Sequence, residues 1–157
     1  MPARSRRRSA PEVAVLEGHP RARALAPRVR RRALRFLRAL GLLGCELSVS
    51  LVSDRAIRRL NRAWRGKDRS TDVLSFPAGS APPGTPEPWP LGDVVISLDT
   101  AARRARLDAR PLEAEVARYL AHGLLHLLGH DHRRPAEARR MAAEEARLLG
   151  EVGMLAP

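Results

Sequence analysis

The chain has 157 residues, enough for one domain with a real core, and only 3 % are aromatic, so that core must be built from Leu, Val and Ala. Its 29 Lys+Arg against 17 Asp+Glu give a net charge of +12, which favours polyanions, nucleic acid first, over generic basicity with no dedicated groove. The lone cysteine, Cys45, excludes an internal disulfide and a thiolate zinc site and suits a reducing cytoplasm; no apolar run reaches the roughly 18 to 20 residues that span a bilayer, and no secretory signal follows the basic start.

Residues 1 to 10, with Arg4, Arg6, Arg7 and Arg8, read as a disordered basic tail that touches RNA non-specifically, with an organellar transit peptide as the alternative. Residues 11 to 157 read as one domain. Val13 to Leu16 is the first strand, and His19 is expected to be exposed and without a role. Pro27 to Leu43 reads as a helix. Val29, Ala33, Phe36, Leu37 and Leu40 form its apolar stripe. Arginines cover the rest, forming either a solvated face or the wall of an RNA path. Cys45 is expected to be a small buried residue.

Glu46 to Val52 alternates, with Leu47, Val49 and Leu51 on one face, as a half-buried strand does. Ser53 can cap a helix from Asp54 to about Trp64, with Ile57, Leu60 and Trp64 pointing inward. A compact basic turn, Arg65 to Ser70, leads into a short strand from Thr71 to Phe76. The proline-rich stretch 78 to 90 is expected to hold neither strand nor helix and to form a surface loop. Leu91 to Leu98 is the most hydrophobic strand and belongs in the centre of the sheet. Asp99 or Thr100 caps a short helix to about Leu107. Pro111 starts a long helix, and Pro135 starts the last, which runs to about Leu149 with Met141, Ala142, Ala146, Leu148 and Leu149 inward. The order is β-α-β-α-β-β-α-α-α: an α+β domain with a mixed sheet of about four strands and about five helices.

Four of the five histidines fall between His122 and His132. His122 and His126, four apart on a helix, are about 40° apart in azimuth and about 6 Å along the axis, so both rings can reach one ion. A continued helix would carry His132 about 240° round and about 9 Å away from His126. Gly129 lets it join, because glycine takes the left-handed conformation that ends a helix and turns the chain back. The pattern is a three-histidine metal site with open positions, the catalytic rather than the closed structural type. Its spacing matches the His-Glu-x-x-His-x-x-Gly-x-x-His motif of metzincin proteases, except that Gly123 stands where those enzymes carry their general base. The metal geometry carries over; the peptidase chemistry does not.

Residues 122 to 132 also fit His-Gly-x-Leu-His-Leu-x-Gly-x-Asp-His at every fixed position, and so resemble the YbeY family of bacterial endoribonucleases, which are rRNA maturation factors. Leu60-Asn61, Arg65-Gly66-Lys67-Asp68 and Thr71 to Pro77 match a second signature of that family, and Gly92-Asp93-Val94-Val95-Ile96-Ser97 a third. The resemblance covers roughly residues 46 to 150. It implies a zincin-like fold with the metal helix against the sheet, and one Zn²⁺ per chain held by His122, His126 and His132. It also implies cleavage of single-stranded RNA, processing of the 3′ end of small-subunit 16S rRNA, ribosome quality control, and the small ribosomal subunit as a partner. No membrane and no DNA partner are expected.

Zinc so held lowers the pKa of its water towards ~7, and the charge that builds on phosphorus during cleavage needs a fixed cation nearby. By resemblance that cation is Arg65; Lys67 is a further candidate for phosphate contact. Asp131 is expected either to hydrogen-bond a ligand histidine or to shape the turn. Glu115 and Arg118 share the helix stripe of the histidines and receive no role, and His130 is left outside the metal set. Two rivals stay open: another zinc hydrolase such as a peptidase, which needs a glutamate brought into the pocket, and a ribosome-assembly factor whose structural zinc is closed by a fourth ligand.

Overall fold

A computed structural model describes residues 7–151. The elements run β1 (Glu12–Gly18), α1 (Ala22–Ala39), β2 (Cys45–Val52), α2 (Asp54–Arg65), β3 (Val73–Pro77), β4 (Trp89–Ser97), α3 (Leu98–Leu107), α4 (Leu112–Leu127) and α5 (Pro135–Glu151). The four strands form one sheet in the order β1-β2-β4-β3. β1 and β4 run parallel to β2, and β3 is antiparallel to β4. The fold class and element order are those expected from the sequence.

Alternation divides the sheet's two faces. Leu47, Val49 and Leu51 of β2 and Val94 and Ile96 of β4 join one core with Val29, Phe36 and Leu37 of α1 and Leu120, Leu124 and Leu125 of α4. Val95 and Leu74 point the other way, into a smaller cluster with Ile57 of α2. Met141, Leu148 and Leu149 of α5 complete the larger core from behind α4. Cys45 is buried, as expected.

Several local expectations need correction. Helix α1 starts at Ala22 and ends at Ala39, with Pro27 inside it rather than at its start. Pro27 removes only its own N–H bond, and complete burial of Ala22 anchors the preceding turn against the core. Strand β4 begins at Trp89, within the proline-rich stretch; Pro90 is tolerated because the pairing with β2 is irregular at Glu46/Leu47.

The cap of α3 is Ser97, whose Oγ accepts from the Thr100 backbone N–H at 3.2 Å, while Ser53 caps α2 as expected. Asp99 is occupied otherwise: its carboxylate accepts from the Asp54 N–H at 2.8 Å and meets His19 Nε2 at 2.8 Å. His19 is therefore half-buried rather than exposed. Trp64 is 72 % exposed rather than inward. The end of α2 reaches edge strand β3, where the indole meets only Phe76, edge-on at 6.1 Å. Ala142 and Ala146 are exposed too, because α5 buries a narrower stripe than its composition allows.

Residues 1–6 of the predicted basic tail lie outside the described residues. Ser9 donates from N–H and Oγ to the Glu87 carboxylate. Among the described residues, no helix is long and apolar enough to cross a membrane.

Candidate metal centre

Helix α4 is almost wholly buried, and its exposed side carries the chemistry. Glu113 and Glu115 occupy its first turn, where the helix dipole favours acids. At the other end, His122 and His126 come to the surface one turn apart, both half-buried. The helix stops at Leu127; the Gly129 N–H donates to the His126 carbonyl and the His130 N–H to the Leu125 carbonyl. Gly129 has φ +90°, which side chains rarely adopt, and the chain doubles back as expected.

That turn brings in His132. Its ring centroid lies 5.9 Å from that of His122 and 5.3 Å from that of His126. One nitrogen from each of the three rings lies within 4.8 Å of the others, so the group could hold a metal ion. His122 Nε2 and His126 Nε2 approach to 3.1 Å, an N–H to lone-pair contact that a shared cation would replace.

The donor chemistry fits such an ion. On its other side, His122 Nδ1–H donates to Glu145 Oε1 of α5 at 2.5 Å. This fixes the tautomer that leaves the Nε2 lone pair facing the other rings. Burial, with the neighbouring His122 and His132 adding, holds the His126 imidazole below its ordinary pKa, so its lone pair is free near neutrality. Arg65 acts in the same direction on His126.

Arg65, the last residue of α2, is held by the geometry that follows it. Buried Asn61 donates from Nδ2 to the Arg69 carbonyl at 3.0 Å, and its own carbonyl accepts the Lys67 N–H. The basic turn is thus pinned to the helix, and the Arg65 guanidinium donates to the Ser75 carbonyl of β3 at 3.4 Å. Arg65, Thr71, Asp72, Val73, Ser75 and the three histidines line one hollow of about 350 Å³.

Helix α4 sits close on β3 and β4 because residue 123 has no side chain. A Cβ there would lie 2.7 Å from Val94 Cγ1 and 3.1 Å from both Ser75 Oγ and Val73 Cγ2. Ser75 Oγ also donates to the Gly123 carbonyl at 2.7 Å. A side chain at 123, the position where the metzincin motif carries its glutamate, would press on β3 and β4.

The structure therefore brings Arg65, His122, His126 and His132 together. Lys67 lies in the exposed turn and is not among the residues lining the hollow. Asp131 accepts the His132 backbone N–H at 2.7 Å and meets Arg133, which is turn formation and not contact with a ligand ring. Glu115 is buried between Arg118 at 3.3 Å and Arg110 at 3.7 Å, beside a neighbouring cavity of about 910 Å³. Sequence reasoning missed Glu145. Its signal was available: position 145 falls four after Met141 and three before Leu148, a carboxylate on an apolar stripe.

A mixed sheet backing a helix with two imidazoles, and a glycine turn returning a third, define a protein with a candidate three-histidine metal centre. The family model for Endoribonuclease YbeY matches residues 21–153 of the chain, starting well ahead of residue 46, where the resemblance was expected to begin. The chain belongs to this family.

An endoribonuclease YbeY of Myxococcus xanthus is 63 % identical over 144 residues, 92 % of this chain and 49 % of that protein. The chain thus spans about half the length of that relative. Its namesake in Anaeromyxobacter sp. is 62 % identical, covering 91 % of this chain and 73 % of the relative. The Thermus thermophilus protein of the same name is 43 % identical over 87 % of this chain and 98 % of its own length. A Thermotoga maritima protein determined in solution shares the fold, with a TM-score of 0.63, 24 % identity and coverage of 89 % and 88 % of the two chains.

Proposed function

We propose that this chain is a zinc-dependent endoribonuclease that cuts single-stranded RNA, and that its work is maturation of the 3′ end of small-subunit 16S rRNA and ribosome quality control in the cytoplasm. The observation that carries the reading is the shared hollow, in which three imidazole nitrogens converge within 4.8 Å beside an arginine and no side chain at 123 serves as a base. His122, His126 and His132 would hold the ion, and Glu145 keeps the His122 ring in its ligating tautomer. A Zn²⁺ in such a set supplies Lewis acidity and lowers the pKa of bound water towards ~7.

The chain's own groups do the rest. Arg65 binds the scissile phosphate and neutralises the charge that grows on its oxygens, for which a planar guanidinium fork is suited. Lys67, outside the hollow, meets a flanking phosphate. The +12 charge favours the rRNA precursor and the small subunit as partners. The peptidase alternative lacks room for its base at 123, and Glu145 is engaged on the rear of His122. The structural-zinc alternative needs a fourth ligand, and among the described residues the group has three members.

The test is His126→Ala. Metal analysis should show loss of stoichiometric zinc, and an RNase assay with and without chelator should show cleavage lost with it. Cleavage that survives without zinc overturns the reading.

A further inference from the structure

We infer that the outer face of α1 is a second RNA-backbone site, built from Arg28, Arg31, Arg32 and Arg35 around the single carboxylate of Glu113. It rests on the proposed function only for naming RNA as the polyanion.

Helix α1 carries seven arginines, at 23, 28, 30, 31, 32, 35 and 38, and no acidic residue. Four of them recur at i, i+3, i+4 and i+7 and so share one stripe, where like charges repel by about 0.2–0.5 kcal/mol per pair. With Glu113 from the first turn of α4 they line a hollow of about 290 Å³. Glu113 reaches Arg28 at 3.0 Å and Arg32 at 3.5 Å. Among the described residues, no carboxylate pairs with Arg31 or Arg35. One negative charge thus faces four positive ones.

This is more than a solvated face. The Arg32 side chain is only 17 % exposed. Burial above all, opposed by Glu113 but reinforced by Arg35, holds its guanidinium below the ordinary value. Guanidinium does not give up its proton in proteins, so the cluster keeps a standing repulsion that an anion would relieve. The lining contains no aromatic or apolar side chain on which a base could stack, and fork-shaped donors match phosphate oxygens. The ligand is therefore a phosphodiester backbone, gripped without regard to sequence.

The site is separate from the metal centre. Glu113 and His122 are nine residues apart on α4, about 180° round and about 14 Å along the axis. A strand of about two or three nucleotides in the hollow cannot reach it, whereas a long or folded RNA can engage both, each contact raising the effective concentration of the other.

The experiment uses the full chain with Arg31→Gln/Arg35→Gln, both exposed, and a thermal melt to show that the fold is kept. With chelator present to stop cleavage, binding of a long structured RNA is titrated against salt. The slope of log K against log salt should fall by roughly 1.4 to 1.8, since each of the two phosphate contacts contributes about 0.7–0.9. Affinity at low salt should drop about tenfold. Without chelator, cleavage of an oligonucleotide of about two or three nucleotides, too short to span the two sites, should be unchanged. An unchanged slope and affinity for the long RNA would overturn the inference. So would polyglutamate binding as tightly as RNA and being lost equally in the variant. Because binding is read without turnover, failure of the nuclease reading leaves this result standing, and the reverse.

Discussion

The substitution Gly123→Ala isolates the contact that sets α4 on the sheet. In a free helix it would gain about 1 kcal/mol, because alanine restricts the unfolded backbone and suits the helix. Here the new methyl would meet Val94 Cγ1 at 2.7 Å and Ser75 Oγ and Val73 Cγ2 at 3.1 Å. Val94 is fully buried on β4, between β2 and β3, and has no open space to turn into. Overpacking of this kind costs about 1–3 kcal/mol. The net expectation is a loss of up to about 2 kcal/mol, read as a lower urea midpoint with an unchanged slope. A helix lifted off β3 also carries His122 and His126 away from Arg65, so RNA cleavage should fall. A variant about 1 kcal/mol more stable than the parent, as helix propensity alone predicts, with RNA cleavage intact, would refute the close-packing argument.

Glu145→Gln should weaken zinc binding by about 10- to 100-fold while leaving the melt near the parent's, since it loosens the tautomer and orientation of His122 without removing a ligand; competition with a chromophoric chelator reads this directly, and unchanged affinity would remove Glu145 from the site. Arg65→Glu should keep stoichiometric zinc and abolish RNA cleavage, because it replaces the cation of the hollow with an anion; unchanged rates would show that Arg65 does not touch the phosphate. Asp99→Asn tests the junction of β1, α2 and α3. The Asp54 N–H, then His19, hold the Asp99 carboxyl below its ordinary value. A depressed carboxylate stabilises the fold above its unfolded value of about 3.9 and loses that contribution as pH falls through the folded value. The variant should therefore be about 1 kcal/mol less stable at pH 7, a figure reduced because 39 % of the side chain meets water. The gap to the parent in urea midpoints should close as pH falls below about 4; a gap independent of pH would contradict the charge argument.

The elements legible from sequence were those whose own periodicity matched their surroundings. β2 alternates and is half-buried along its whole length; α4 is apolar nearly all round and is buried nearly all round. The misreadings lie where tertiary contact outweighed local rule. Pro27 sits inside α1 because buried Ala22 extends the helix ahead of it, and Pro90 enters β4 where the register slips. Ser97 takes the cap of α3 because Asp99 is claimed from across the chain by Asp54 and His19. Asp54 and His19 lie 45 and 80 residues from Asp99, beyond any local window. The three histidines were legible because their spacing is itself the geometry. Glu145 showed only as a carboxylate on an apolar stripe; its pairing with His122 was not legible, since the two lie 23 residues apart on different helices.

The division between protease and nuclease is not written in the histidines, which are spaced alike in both. It lies in what stands next to them. Position 123 faces β3 and β4, so a side chain there would press on Val94, Ser75 and Val73. That close approach sets Val73 and Ser75 along the wall of the hollow, and the Ser75 carbonyl in turn takes a hydrogen bond from Arg65 at the end of α2. Absence of the base and presence of the cation are therefore one packing event: the glycine that leaves no carboxylate also admits the strand that seats the guanidinium. A cation beside three imidazoles favours a substrate that is anionic before it reacts and gains charge as it does, which describes a phosphodiester, whereas a peptide starts neutral.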